Sequence, residues 1–279
     1  QFEHVDIDTE NESIYNKVNN SFAKRIDNVL TQCKRVSNQV KVTLQENTFP
    51  IVLSGDHSSA LGTISGVKAA YSRETVGVIW IDAHADIHSP YTSPSGNIHG
   101  MPLAAALSED NLDFQINTVS RETSDLWERM KNIGVLGPKI SANDVVYFGV
   151  RDTEEPEEKQ IDNLGIKNYT VSEIRYRGLE KCVDEAIGKL SNCNVIYISF
   201  DVDSMDCDMI SYGTGTPVKK GFDQEEVTEI MNQIITKTKK VVCVEFVEVN
   251  PLLDLKGNVM AETAFEVLDD VTKTIKETL

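Results

Sequence analysis

Short runs of Val, Ile, Phe and Tyr recur along the chain at 50–53, 76–82, 145–150, 195–201 and 241–247. They are nearly continuous rather than alternating, the pattern of strands buried on both faces. Amphipathic stretches lie between them. Residues 20–44 place Phe22, Ile26, Val29, Leu30, Cys33 and Val36 at spacings of three and four, which makes one apolar face of a helix. Residues 58–71, 125–133, 179–190, 224–236 and 261–276 follow the same rule. Alternation of strand and helix specifies an α/β fold: a mostly parallel sheet with right-handed crossovers and helices on both sides. No Pro/Gly/Ser tract, repeat or low-complexity segment interrupts the 279 residues, so residues 1–279 read as a single domain.

Composition removes several functional classes. With 27 basic and 44 acidic side chains the formal net charge is −17. That balance disfavours nucleic acid or an anionic membrane as a partner. No apolar run approaches the roughly 20 residues that cross a bilayer. The five cysteines are widely spaced and contain no CxxC pair, which reads as reduced thiols in a cytoplasmic protein. No secretion signal is visible.

Of five histidines, His57, His84, His88 and His99 fall within 43 residues. They mark where the chemistry concentrates. The run at 50–53 is followed by Ser54-Gly55-Asp56-His57-Ser58, the run at 76–81 by Asp82-Ala83-His84-Ala85-Asp86, and the run at 195–200 by Asp201-Val202-Asp203. Alternate residues of a strand share a face, so Asp82/His84 and Asp201/Asp203 each form a pair. Ligands bind beyond the carboxyl ends of parallel strands. Six candidate metal ligands therefore collect there: His57, Asp82, His84, Asp86, Asp201 and Asp203. A single Asp-x-His or Asp-x-Asp at a strand end is usually a cap or a salt-bridge partner. Three such ends are not, because buried carboxylates do not cluster without a cation. Six ligands suit two divalent ions. The oxygen-rich, thiolate-free set favours Mn²⁺, with Co²⁺, Fe²⁺ or Zn²⁺ as alternatives. The irregular stretch 89–99 follows such a strand end and is expected to be functional, whereas 108–123 reads as a surface excursion.

These residues resemble the ureohydrolase (arginase) family. The resemblance rests on Ser-Gly-Asp-His-Ser at 54–58, Asp-Ala-His-Ala-Asp at 82–86, Ser-Phe-Asp-Val-Asp at 199–203, Gly-Thr-Gly-Thr-Pro at 213–217 and Glu-Val-Asn-Pro at 248–251. It implies a three-layer α/β/α fold with a parallel sheet of about eight strands. It also implies a hydrolase carrying two Mn²⁺ per chain, with a bridging hydroxide that attacks a guanidinium carbon. One ion would take His57, Asp82, Asp86 and Asp201, the other His84, Asp82, Asp201 and Asp203. Asp86 would also orient the hydroxide, Glu248 would pair with the guanidinium, and His99 would shuttle the proton to the departing amine. A trimer or hexamer is implied too.

The loop Ser95-Gly96-Asn97-Ile98-His99-Gly100 resembles that of family members acting on L-arginine. Ser95 and Asn97 would bind the α-carboxylate, Asp152, Glu154 and Glu157 would read the α-amino group, and Thr216 would lie near the guanidinium. The resemblance thus implies hydrolysis of L-arginine to L-ornithine and urea. The alternatives are an agmatinase, guanidinobutyrase or formimidoylglutamase, a mononuclear zinc deacetylase, and a non-catalytic protein on the same fold. Several positions depart from the family pattern. Glu154 replaces Asp, His88 replaces Asn, Ser54 replaces Gly, and Cys207 replaces Pro after Asp206. The usual opening strand and its Gly-Ala-Pro-like loop are not found, so the N-terminal strand is expected to be missing.

Overall fold

The computed structural model describes residues 3–278. These divide into two compact units. One comprises residues up to Pro50 with Ser58–Ser72 and Asp86–Lys139; the other comprises Ile51–His57, Arg73–Ala85 and the residues from Ile140 onward.

The second unit carries the whole sheet. Its strands are β1 (Ile51–Leu53), β2 (Val76–Ile81), β3 (Val145–Phe148), β4 (Lys167–Tyr169), β5 (Val195–Asp201) and β6 (Val241–Val247). They lie in the order β1-β6-β5-β2-β3-β4, and every neighbouring pair is parallel. Each residue of β2, β3 and β5 is buried. Both faces of the central strands are therefore covered, as continuous apolar runs require. About eight strands were expected, and six are found among the described residues. β4 has no counterpart among the predicted runs, because Lys-Asn-Tyr is neither apolar nor alternating. It is a short edge strand whose backbone pairs with β3.

The first unit is helical: α1 (Ile26–Gln45), α2 (Ala60–Ala70), α3 (Pro102–Leu107) and α4 (Arg121–Lys131). Close approach of α1 and α2 depends on two glycines. A Cβ at Gly62 would stand 2.6 Å from the Cys33 carbonyl oxygen, and one at Gly66 would stand 2.7 Å from that of Ser37. The segment 108–123 differs from the surface excursion expected of it. Asn111 Nδ2 donates to Ile87 O at 2.6 Å, and Asn117 Nδ2 donates to both Pro90 O and Ser93 O. Two buried amides thus brace the loop at 87–93 by capping its carbonyls.

The second unit adds α5 (Glu155–Leu164), α6 (Val171–Arg177), α7 (Leu179–Lys189), α8 (Gln224–Thr238) and α9 (Val259–Thr278). α8 starts with a capping box between Asp223 and Glu226, which satisfies backbone donors at its head. All five cysteines are buried and none forms a disulfide, and burial beside Asp144 pushes the Cys193 thiol up to about 12. No helix among the described residues is long and apolar enough to cross a membrane.

Two outcomes follow from this packing. Gly66→Val should lower stability by about 1–3 kcal/mol through overpacking between α1 and α2, measured by urea denaturation. Native protein at pH 8 should react with a thiol reagent far more slowly than unfolded protein, which should titrate all five thiols.

Candidate metal centre and active site

All strands run the same way, so all their carboxyl ends share one edge of the sheet. β2 and β5 are neighbours with Ile81 opposite Phe200. The next residues, Asp82 and Asp201, therefore leave the sheet side by side. Asp201 is in turn opposite Val247 of β6, directly before Glu248. β1 closes this side with Leu53 opposite Phe246, and His57 follows four residues later. The sheet order thus brings together residues that are as far apart in sequence as 57 and 248.

Asp82, Asp201, Asp203 and His57 are each at most 2% exposed. His57 Nδ1 lies 3.1 Å from Asp82 Oδ2 and 3.1 Å from Asp201 Oδ2. His84 Nδ1 lies 3.0 Å from Asp203 Oδ2 and 3.6 Å from Asp82 Oδ1. Asp82, His84 and Asp203 offer ligand atoms all within 4.8 Å of one another. Protein donors fix the carboxylates. Asp82 accepts from Trp80 Nε1 at 2.9 Å and from His84 N at 2.7 Å. Asp201 accepts from Asp203 N at 2.8 Å. Asp203 accepts from Ala83 N at 3.2 Å and from the Thr216 hydroxyl at 2.8 Å.

The electrostatics call for a cation. Burial, then the charges of Asp203 and Asp82, push the Asp201 carboxyl well above its ordinary range. Burial opposes ionisation of Asp82 too, but hydrogen bonds and charge from His57 and His84 hold its carboxyl below the usual range. His84 is held well above the ordinary imidazole range by Asp203 and Asp82, against burial. A proton on the His84 imidazole thus stands in for a missing cation. A divalent ion would supply more positive charge, and carboxylate oxygens with imidazole nitrogens are the donor set such ions take. The residues present fit a divalent metal centre.

The second unit holds five further predicted residues: Glu248, Asp152, Thr216, Glu154 and Glu157. Glu248 is nearly buried, and its Oε1 accepts from His57 N at 2.8 Å. Its backbone is left-handed, with φ +67. That conformation costs a non-glycine residue on the order of 1 kcal/mol. Asp152 Oδ2 lies 3.7 Å from His84 Nε2 on a side chain 66% exposed. Thr216 is tethered to Asp203 as above. Glu154 and Glu157 form the capping box at the head of α5, each side chain accepting from the other's backbone N–H.

The remaining predicted residues belong to the first unit. Asp86 opens its last segment with φ +50, and its carbonyl accepts from Leu103 N. Ser95 Oγ accepts from Asn97 N at 3.1 Å, so these two residues form one tight turn. His99 sits in the short 3-10 turn Ile98–Gly100. His88 Nδ1 lies 3.1 Å from Thr92 Oγ1.

Sequence reasoning missed several residues. Trp80 stacks on His57 with centroids 4.2 Å apart and also donates to Asp82. Ser199 Oγ lies 2.8 Å from His57 Nε2. Both stand two residues before a candidate ligand and on its face of the strand, a signal that was available. Arg151 donates to the carbonyls of Gly149, Asp203, Val218 and Lys219 at 3.0 Å each, and to Met205 O at 3.4 Å. It knits the loops after β3 and β5, and no local sequence signal announces that. In the sheet, Tyr197 donates to the fully buried Glu245 at 2.6 Å.

Comparison with known proteins agrees with this geometry. The family model described as "Arginase family" matches residues 2–273. The chain belongs to the arginase family. The arginase of Bacillus subtilis strain 168 is 36% identical over 253 residues, covering 91% of this chain and 78% of that protein. Its crystal structure superposes with a TM-score of 0.78, over 91% of this chain and 81% of that one. An Entamoeba histolytica arginase crystallised with L-ornithine gives a TM-score of 0.79 at 30% identity, over 92% of this chain and 80% of that one. The α/β architecture with its parallel sheet is therefore the arginase fold.

Adding Mn²⁺ to chelator-treated protein should raise its melting temperature, by mass action on the folded state. Asp201→Asn should abolish that rise while its chelator-treated form melts no lower than wild type. Differential scanning fluorimetry reads both.

Proposed function

We propose that this member of the arginase family hydrolyses L-arginine to L-ornithine and urea. The observation that carries the reading is the cluster of His57, Asp82, His84, Asp201 and Asp203, buried together at the carboxyl edge of the sheet. The arginase with ornithine bound, the product of that reaction, supports the choice of substrate. His57, Asp82, His84, Asp201 and Asp203 would hold two divalent ions, Mn²⁺ in this reading, which would supply an activated water for attack on the guanidinium carbon. Asp86 completes the ligand set.

The chain's own residues do the rest. Glu248 is the partner for the guanidinium. One of its oxygens is engaged by His57 N–H, and the carboxylate is thereby oriented for a charge-assisted, bidentate-capable contact. A Cβ at Gly215 would lie 3.6 Å from Glu248 Oε2, so a bare backbone keeps that side of the carboxylate open. Thr216 follows Gly215, its hydroxyl given to Asp203. Asp152 is the exposed carboxylate for the α-amino group, and Glu154 and Glu157 add negative charge and fix the shape of its loop. Ser95 and Asn97 take the α-carboxylate. His99 delivers the proton that the departing amine requires, a task suited to imidazole. The five reduced cysteines fit a cytoplasmic enzyme, and a trimer or hexamer belongs to the same reading.

The test is a substrate panel with added Mn²⁺: L-arginine, agmatine, guanidinobutyrate and formiminoglutamate, scored for urea or formamide. Urea from L-arginine is expected to exceed any other product. No urea from arginine alongside turnover of another member contradicts the reading. Glu248→Gln should lower kcat/KM on arginine by at least about a hundred-fold, the scale of losing a buried charge-assisted pair.

A further inference from the structure

The turn assigned to the substrate carboxylate has a cationic neighbour within its own unit. Lys24 Nζ donates to Asn97 Oδ1 at 3.1 Å. The Lys24 backbone N–H donates to Gly96 O at 2.7 Å, so the lysine is laid along the loop at both ends. The approach of the two segments is built in. Gly96 has φ +71, and a Cβ there would stand 2.0 Å from the Ser21 carbonyl oxygen. Only glycine allows both the left-handed turn and that contact.

The chemistry of this pair is one-sided. An ammonium donates and never accepts, so it takes the carbonyl end of the Asn97 amide and leaves the NH₂ end facing away as a donor. Lys24 keeps two more N–H groups of its own. Lysine Nζ and asparagine Nδ2 side by side offer only donors and a positive charge, which suits a carboxylate and repels an amine. Asn97 N–H is tied to Ser95 Oγ, holding the turn in shape. Lys24 is half-buried, and among the described residues no carboxylate reaches its ammonium. In a chain with a net charge of −17, a held cation without an acidic partner is a ready position for an anionic group of a ligand.

We propose that Lys24 is a specificity residue whose ammonium, with the Asn97 amide, binds the α-carboxylate of L-arginine and selects against guanidino compounds that lack one. The inference rests on the arginine reading above.

Lys24→Met and Lys24→Arg in the full Mn²⁺-loaded chain test it. With Lys24→Met, KM for L-arginine should rise roughly ten- to hundred-fold, the worth of a hydrogen bond to a charged group. The rise should sit in KM more than in kcat, and Lys24→Arg should recover much of it. A second readout needs no turnover: affinity for L-ornithine against putrescine, its decarboxylated counterpart, by calorimetry. Lys24→Met should weaken ornithine selectively and shrink the ratio by the same factor. An unchanged ornithine-to-putrescine ratio, or equal losses on arginine and agmatine, would overturn the proposal. Wild-type protein that makes no urea from arginine counts against the arginine reading instead, and the ornithine-to-putrescine ratio then decides the role of Lys24 by itself.

Discussion

Three buried carboxylates, Asp82, Asp201 and Asp203, are the constraint from which the rest of the site follows. Like charges buried a few ångströms apart cannot all ionise alone, and a buried charge without a partner is costly enough to unfold a domain. The parallel sheet creates the problem by ending β2 and β5 side by side. It also creates the solution, because the same edge receives His57 from beyond β1 and His84 from beyond β2. A centre of this composition is stable when a divalent ion is bound and frustrated when it is not. That property separates a metal site from a set of helix caps.

Much of the surrounding structure serves to hold that frustrated cluster in place. Trp80 braces an imidazole with its face and a carboxylate with its N–H. Ser199 meets the far nitrogen of His57, which fixes the ring's orientation in the way that outer hydrogen bonds fix metal-binding histidines. Arg151 gathers carbonyls from Gly149, Asp203, Met205, Val218 and Lys219, so the loops after β3 and β5 are tied together. Glu248 holds a left-handed backbone, a local cost that aims its carboxylate.

Legibility in the sequence tracked the physics of each element. β5 and β6 were read to the residue because seven-residue, mostly apolar and β-branched or aromatic runs allow few alternatives. The gathering of His57, Asp82, His84, Asp201 and Asp203 was legible because Asp-x-His and Asp-x-Asp at strand ends have no cheap structural explanation in combination. β4 was not, since an edge strand draws its stability from β3 and carries no hydrophobic signature of its own. α5 was hidden because Glu155-Pro156-Glu157-Glu158 looks like a charged loop, yet proline in the first turn with acids at the N-terminus is a helix start. Segment 108–123 looked idle because the carbonyls that Asn111 and Asn117 satisfy are distant in sequence. Arg151 was invisible as a hub for the same reason: its partners exist only once the loops are in place.

The measurement that bears most directly on this account is metal content against product. Chelator-stripped protein is titrated with Mn²⁺, and in each sample the bound ion and the urea released from L-arginine are determined together. The account predicts that urea output rises in step with bound Mn²⁺ and reaches its plateau when the centre is full. Urea released at full rate with no divalent ion bound, or a saturated centre that releases none, would contradict it.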